Sequence, residues 1–178
     1  GYRVVGVSDS HGGIYREEGI DVRALIHHKR DTGSVQGFVG TKNCTQEELL
    51  TCPCDVLAPS ALENQLTESV APSIQAKLVL ELANGPTTAE GERILTDRRI
   101  LVIPDVLANS GGVTVSYFEW LQNKENVHWV ETDVLERLEA LMQEASKAVQ
   151  QMAKKKSCTQ REAAFLVAID RIQQASAK

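Results

Sequence analysis

The amino-acid sequence predicts an α/β fold, a doubly wound parallel sheet followed by a helical C-terminal segment. Two observations carry that expectation. Short apolar runs at 2–8, 55–58, 78–83 and 100–103 alternate with helical stretches, and each run ends in polar or glycine residues. Such alternation marks βαβ units and a sheet covered on both faces. Beyond about residue 130 the strands cease and apolar residues recur at helical spacing only. The 178 residues therefore divide into a sheet-bearing part, 1–130, and C-terminal helices, 131–178, that pack back on it.

Taken in order, Tyr2 to Val7 is a β-rich run ending at Ser8-Asp9-Ser10, followed by the glycine pair Gly12-Gly13. Ile20 to His28 has apolar residues at helical spacing and is stopped by Gly33, after which 33–43 reads as a glycine-rich loop. Thr45 with Glu48 forms a capping box for a short helix through Leu50. Val56-Leu57-Ala58 is a brief strand closed by Pro59, and 70–76 is short and helical. Leu78 to Ala83 (LVLELA) is a strand of the buried kind, broken by Asn84-Gly85-Pro86. Thr87 or Thr88 then caps a helix over 89–95, and Ile100 to Ile103 is the last strand. Val134, Leu138, Leu141, Met142, Ala145, Val149 and Met152 place a helix over 133–153. Thr159, boxed by Glu162, opens a final helix running to about residue 175.

Bulk composition excludes several classes. The net charge of −5 argues against a nucleic-acid partner, and the one basic triplet, Lys154-Lys155-Lys156, meets the negative end of a helix. No apolar stretch approaches the ~20 residues a membrane helix needs. Gly1-Tyr2-Arg3 leads straight into a strand without a signal peptide, and the missing initiator Met reads as a piece of a longer chain. Cys44, Cys52, Cys54 and Cys158 lack a framework spacing, and Cys52-Pro53-Cys54 has no second pair or nearby histidine to complete a metal site. Free thiols in a reducing cytoplasm are expected, with no metal. His11, His27, His28 and His128 read as solvated.

In open α/β sheets ligands sit beyond the carboxyl ends of the strands. Asp9 and Ser10 lie at such an end. A strand-end aspartate can accept hydrogen bonds from adenosine ribose hydroxyls and repel a 2′-phosphate, or simply bond its own turn. Yet no G-x-G-x-x-G phosphate turn occurs in the chain. The expectation is a dinucleotide-binding sheet that lacks its first βα unit. Ala58, Ser60 and Ala61, small residues at the next strand end, leave room for a ribose and pyrophosphate or are merely loop residues.

The most informative string is IPDVLANSGGVTVSYFEWL, 103–121. It runs from an apolar strand through Pro104-Asp105 into a helix that Asn109 and Ser110 can cap, with Gly111-Gly112 allowing close approach to its first turn. Adjacent glycines are disfavoured in a helix, so their presence asks for a reason. Asn109, Val113 and Ser116 fall four and three apart and share one face. One carboxamide, one methyl surface and one hydroxyl suit a small polar ligand.

This string resembles the signature of glutamate dehydrogenases, within the glutamate, leucine, phenylalanine and valine dehydrogenase family. VVGVSDSHGGIY (4–15), CDVLAPSALENQLT (54–67), ELANGPTTAEG (81–91) and PDVLANSGGVTVSYFEWLQN (104–123) follow in the family's order, so the likeness covers nearly the whole chain. It implies a Rossmann-type coenzyme-binding portion using NAD, with NADP as the alternative. Asn84 is then placed near the nicotinamide and Asn109 on its carboxamide. Val113 packs on the substrate methylenes and Ser116 binds the side-chain carboxylate of L-glutamate, whose product is 2-oxoglutarate. An amide donates and accepts at once, which matches a carboxamide; either asparagine could instead serve only its own turn. The resemblance places the family's catalytic lysine and aspartate outside these residues, so no catalytic residue is assigned here and the chain alone is expected to be inactive. It also implies a cytoplasmic homo-oligomer, a hexamer. Two rivals remain: another amino-acid dehydrogenase with an apolar pocket, and a non-catalytic nucleotide-binding module.

Overall fold

The computed structural model describes residues 1–177; Lys178, the last residue of the expected C-terminal unit, lies outside the described residues. The second half of the sheet-bearing part follows the expectation. Strands β4 (Val56–Leu57), β5 (Leu78–Leu80) and β6 (Leu101–Ile103) form a parallel sheet in that order. Leu57 lies opposite Val79, and Val79 opposite Val102. Helix α3 (Ala89–Asp97) makes the crossover from β5 to β6, its first turn capped by the Thr88 hydroxyl, which accepts from the Gly91 amide at 3.1 Å. Leu66, Val70, Ala71, Ile74, Val79, Leu95 and Val102 are buried together between this helix and the sheet. The 70–76 segment contributes a single 3₁₀ turn, Ala71–Ser73, where a longer helix was expected. Pro72 inside that turn removes a backbone donor, and the chain leaves it extended at Ile74.

The first half departs from a single parallel sheet. β1 (Gly6–Asp9) turns through Ser10-His11 into β2 (Gly12–Tyr15), and β3 (Lys42–Cys44) adds to β2, giving a second, wholly antiparallel sheet. The glycine pair is therefore strand, and the end of the expected 33–43 loop is strand as well. The reason lies in helix α2 (Gln46–Leu50), begun by the expected Thr45–Glu48 capping box. Its Leu49 lies across the hairpin so closely that a Cβ would stand 2.7 Å from Leu49 Cδ1 at Gly6 and 3.3 Å from Leu49 Cβ at Gly13. Glycine is there to let a helix touch the strands. Helix α1 (Val22–Thr32) covers this sheet through Leu25, capped by Asp21 and ended by Gly33 in the left-handed conformation. His28, expected to be solvated, is half-buried: Nε2 bonds the Gln36 carbonyl at 3.0 Å and the ring meets Phe38 edge-on.

After β6, the short helix α4 (Asp105–Ala108) runs almost unbroken into α5 (Ser110–Glu125), with Asn109 alone between them. The long α6 (Glu131–Lys156) and the boxed α7 (Gln160–Ser176) then form an antiparallel pair. Val149 and Ala153 of α6 pack with Ala163 and Ala164 of α7 and with Leu107 of α4, which docks the pair beside β6. Among the described residues no helix is long and apolar enough to cross a membrane, and no group of three or more His, Cys, Asp or Glu is arranged to hold a metal ion.

Candidate functional site

The carboxyl edge of the parallel sheet opens into a cleft of about 580 Å³. One wall is the loop after β4, with Ser60 and Ala61; the floor is the segment following β5, Leu82 to Asn84; the other wall is Asn109 and the face of α5 bearing Gly112, Val113 and Ser116. Six sequence-selected residues are thus brought together: Ser60, Ala61, Asn84, Asn109, Val113 and Ser116. Ala58, an exposed residue of the same loop, is not among the lining residues, and its carbonyl accepts the Ser60 hydroxyl at 2.9 Å.

Asn109 does not cap α5, contrary to expectation. Its Nδ2 donates to Asn84 Oδ1 at 2.7 Å and to the Leu82 carbonyl at 3.4 Å. Ser110 does not cap it either, because its hydroxyl donates back to the Leu107 carbonyl at 2.8 Å. Asn109 joins α4 to α5, its own backbone amide bonded to the Asp105 carbonyl at 3.0 Å, and its side chain turns to the cleft instead of to the α5 amides. The Asn84–Asn109 pair leaves Asn109 Oδ1 and Asn84 Nδ2 without a protein partner among the described residues, an acceptor and a donor side by side. The Ser116 hydroxyl is likewise unengaged among them, whereas Thr114, on the opposite side, bonds the Ser110 carbonyl at 2.9 Å.

Of the glycine pair expected to allow close approach, Gly112 lines the cleft. A Cβ there would meet nothing within 4 Å, so neither packing nor backbone geometry demands glycine. The helix forgoes propensity of about 1 kcal/mol to keep that wall flat. Gly111, by contrast, faces Leu138 of α6 at an ordinary 3.7 Å.

Asp9 and Ser10 lie elsewhere. Ser10 lines a second opening of about 670 Å³, with His11, Gly12, Gln36 and residues 43–48. The Asp9 carboxylate is committed to the fold: it accepts the ammonium of Lys29, the Val35 amide at 2.9 Å and the His11 amide at 2.8 Å. Burial pushes its carboxyl up, but Lys29 and the two amides outweigh that and hold it far below the usual carboxylate range.

A third group escaped the sequence reading. Arg161 of α7 donates to Glu81 at the end of β5 (2.6 Å), to Glu92 in the first turn of α3 (2.5 Å) and to Asp105 at the start of α4 (2.8 Å). Glu81 is wholly buried. Burial pushes the Asp105 carboxyl up, yet the Gly85 and Val106 amides and Arg161 hold it below its ordinary value. The signal was present: a lone glutamate inside LVLELA needs a cation, although nothing local says which one.

The cleft lining contains hydrogen-bonding and apolar groups and nothing that titrates near neutral pH. It can bind and orient a ligand but cannot move its protons. A paired carboxamide, a flat glycine wall and small residues at a strand end fit the nicotinamide end of a dinucleotide, and the volume falls in the range of cofactor sites.

Known proteins resemble this chain along its whole length. The model of the family described as glutamate/leucine/phenylalanine/valine dehydrogenase matches residues 1–178. The chain is 46% identical over 176 residues to the cryptic catabolic NAD-specific glutamate dehydrogenase of Bacillus subtilis, covering 99% of this chain and 41% of that protein. It is 44% identical over 174 residues to the NADP-specific glutamate dehydrogenase A1 of Halobacterium salinarum, covering 97% and 42%. Among solved structures, the hetero-hexameric glutamate dehydrogenase from Thermus thermophilus in its Leu-bound form superposes with a TM-score of 0.88 at 33% identity, over 97% of this chain and 41% of that one. The chain thus spans about two-fifths of the length of the relatives it matches. With the match running from end to end, the chain belongs to the glutamate, leucine, phenylalanine and valine dehydrogenase family.

Proposed function

We propose that this chain is the coenzyme-binding part of a glutamate dehydrogenase that converts L-glutamate to 2-oxoglutarate and ammonia. The observation that carries the reading is the face of α5, where the Asn109 amide, the Val113 methyls and the unengaged Ser116 hydroxyl look into one cleft together. The nicotinamide coenzyme supplies a hydride acceptor at that cleft. Asn84 and Asn109 hold its carboxamide and so fix which ring face is presented. Ser60, Ala61 and Gly112 give it room, with Ala58 in the same loop as the first two. Val113 lies along the substrate methylenes and Ser116 donates to the distal carboxylate. The acid–base groups come from outside these residues.

On this reading residues 1–130 are part of a doubly wound, Rossmann-type sheet and 131–178 are helices that fold back on it. β1 and β4 each keep one edge without a neighbour, which is where a first βα unit would join the two sheets. The whole enzyme is read as a homo-oligomer; the Thermus protein, a hetero-hexamer, supports six subunits and not their identity. Asp9 and Ser10 would face the adenosine ribose, which favours NAD. NADP is the second reading, favoured by Lys29, whose ammonium sits on the Asp9 carboxylate and would meet a 2′-phosphate. The ratio of kcat/KM for the two coenzymes decides between them.

Ser116→Ala in the full-length enzyme tests the substrate reading. A carboxylate left short of one charge-assisted bond loses about 1.5–3 kcal/mol, roughly a ten- to hundredfold fall in kcat/KM for glutamate. Activity on norvaline, which lacks that carboxylate, should fall far less, and coenzyme affinity should hardly change. Equal losses on both substrates would show that Ser116 supports the helix only, and would withdraw the assignment.

A further inference from the structure

We propose that Arg161 is a positioning residue, which ties the end of β5, α3 and α4 together beneath the cleft so that the Asn84–Asn109 pair is held in register. The inference rests on the coenzyme reading above and concerns a residue that does not line the cleft.

All three guanidinium nitrogens are used, and each goes to a different segment. Nη2 bonds Glu81, the residue before the cleft-lining Leu82; Nε bonds Glu92 on α3; Nη1 bonds Asp105. Asp105 then passes the constraint on twice. Its other carboxylate oxygen, Oδ2, accepts the Gly85 amide at 2.8 Å, which pins the loop next to Asn84. Its carbonyl accepts the Asn109 amide at 3.0 Å, which fixes the backbone of the partner asparagine. Glu81 closes the circuit, because its Oε2 accepts the Asp105 amide at 2.8 Å as well as the Arg161 bond.

Stability is a poor reason for such a group. Three carboxylates against one guanidinium leave the cluster acidic, and desolvating buried ions generally offsets what their attraction returns. What the planar fork offers is direction, because one rigid group can orient several acceptors at once and an ammonium cannot. The cluster also lies where direction matters, since the two asparagines come from different elements and meet through a single 2.7 Å bond. A small rotation of α4 or of the 84–86 loop would break that pair.

The test compares full-length Arg161→Lys with full-length Val149→Ala. The lysine keeps the charge and loses the fork. Val149→Ala loosens the apolar packing of α6 on α7 and on Leu107 of α4, and removes none of the cluster's hydrogen bonds. Amide hydrogen exchange at Gly85 and steady-state kinetics are followed in both, well below their melting temperatures. In Arg161→Lys, Gly85 exchange should rise roughly tenfold or more and coenzyme KM should rise by a similar factor. In Val149→Ala the melting temperature should fall while both readouts stay at wild-type values. The proposal is overturned if the lysine variant behaves as wild type at Gly85 and in coenzyme KM, or if Val149→Ala moves both as far. Should the wild-type enzyme show no glutamate turnover, the functional reading fails, and the exchange measurement alone still decides whether the clamp exists.

Discussion

Asp9 illustrates a carboxylate that the fold uses at a place where a ligand would be sought. Lys29 and the amides of His11 and Val35 all converge on it, joining the first strand to α1 and to the loop beyond. Its folded pKa lies below its unfolded value, so its contribution to stability is whole above the ordinary carboxylate range near pH 4 and is lost as the pH falls below it. Asp105 acts in the same direction. The urea midpoint of the chain should therefore drop between pH 5 and pH 3. Asp9→Asn should lower stability at pH 7 by roughly 1.5–3 kcal/mol for lost charged hydrogen bonds, seen as a lower urea midpoint, and should shrink that acid drop. A variant with an unchanged acid drop would mean that other carboxylates carry it. No sequence rule distinguishes the two uses of such an aspartate, because Lys29 lies 20 residues away and Val35 lies 26 away.

At the scale of elements, two helical glycines make opposite predictions. Gly91 in α3 sits against the Leu66 backbone, and a Cβ there would stand 2.1 Å from its carbonyl oxygen. Alanine normally gains about 1 kcal/mol in a helix, but here the helix must move off its neighbour, at a cost of roughly 1–3 kcal/mol, so Gly91→Ala should destabilise the chain. Gly112→Ala should raise stability by about 0.5–1 kcal/mol and weaken coenzyme binding in the full-length enzyme, because its methyl enters the cleft. Thermal melts and coenzyme titration check both, and a Gly112→Ala enzyme with undiminished affinity would show that the ligand keeps clear of that wall. Where an element is decided locally, the sequence was legible: the capping boxes at Thr45 and Thr159, the Thr88 cap and the Gly33 stop all stand where their residues put them. β2 was hidden because its glycines mask strand propensity, their neighbours Leu49, Gln36 and Cys44 lying far along the chain, and β3 because Lys42-Asn43-Cys44 has no apolar alternation. The Asn109 cap failed for a related reason: a local rule lost to Asn84, 25 residues away.

For the whole molecule, the face of α5 could be read because three and four residues along a helix is a geometric certainty once the helix exists, and Asn109, Val113 and Ser116 do meet in one cleft. The separation of the two sheets could not be read, since the expectation assumed that every strand joins one array. The same geometry limits what these residues can do alone. None of the groups lining the cleft titrates near neutral pH, and Glu81, next to the lining residue Leu82, and Asp105 are held by Arg161 as fixed acceptors. Oxidative deamination needs a base at the α-amino group and an acid–base pair for the water that enters as ammonia leaves. On the proposed reading the cleft binds and the acid–base groups lie outside these residues, so the 178-residue chain mixed with glutamate and NAD or NADP should form no reduced coenzyme, whereas the full-length enzyme should. The measurement is the absorbance of reduced nicotinamide over time, with and without glutamate. Glutamate-dependent reduction by the chain alone would mean that its acid–base groups lie within these residues, and would overturn the division of labour proposed for the cleft.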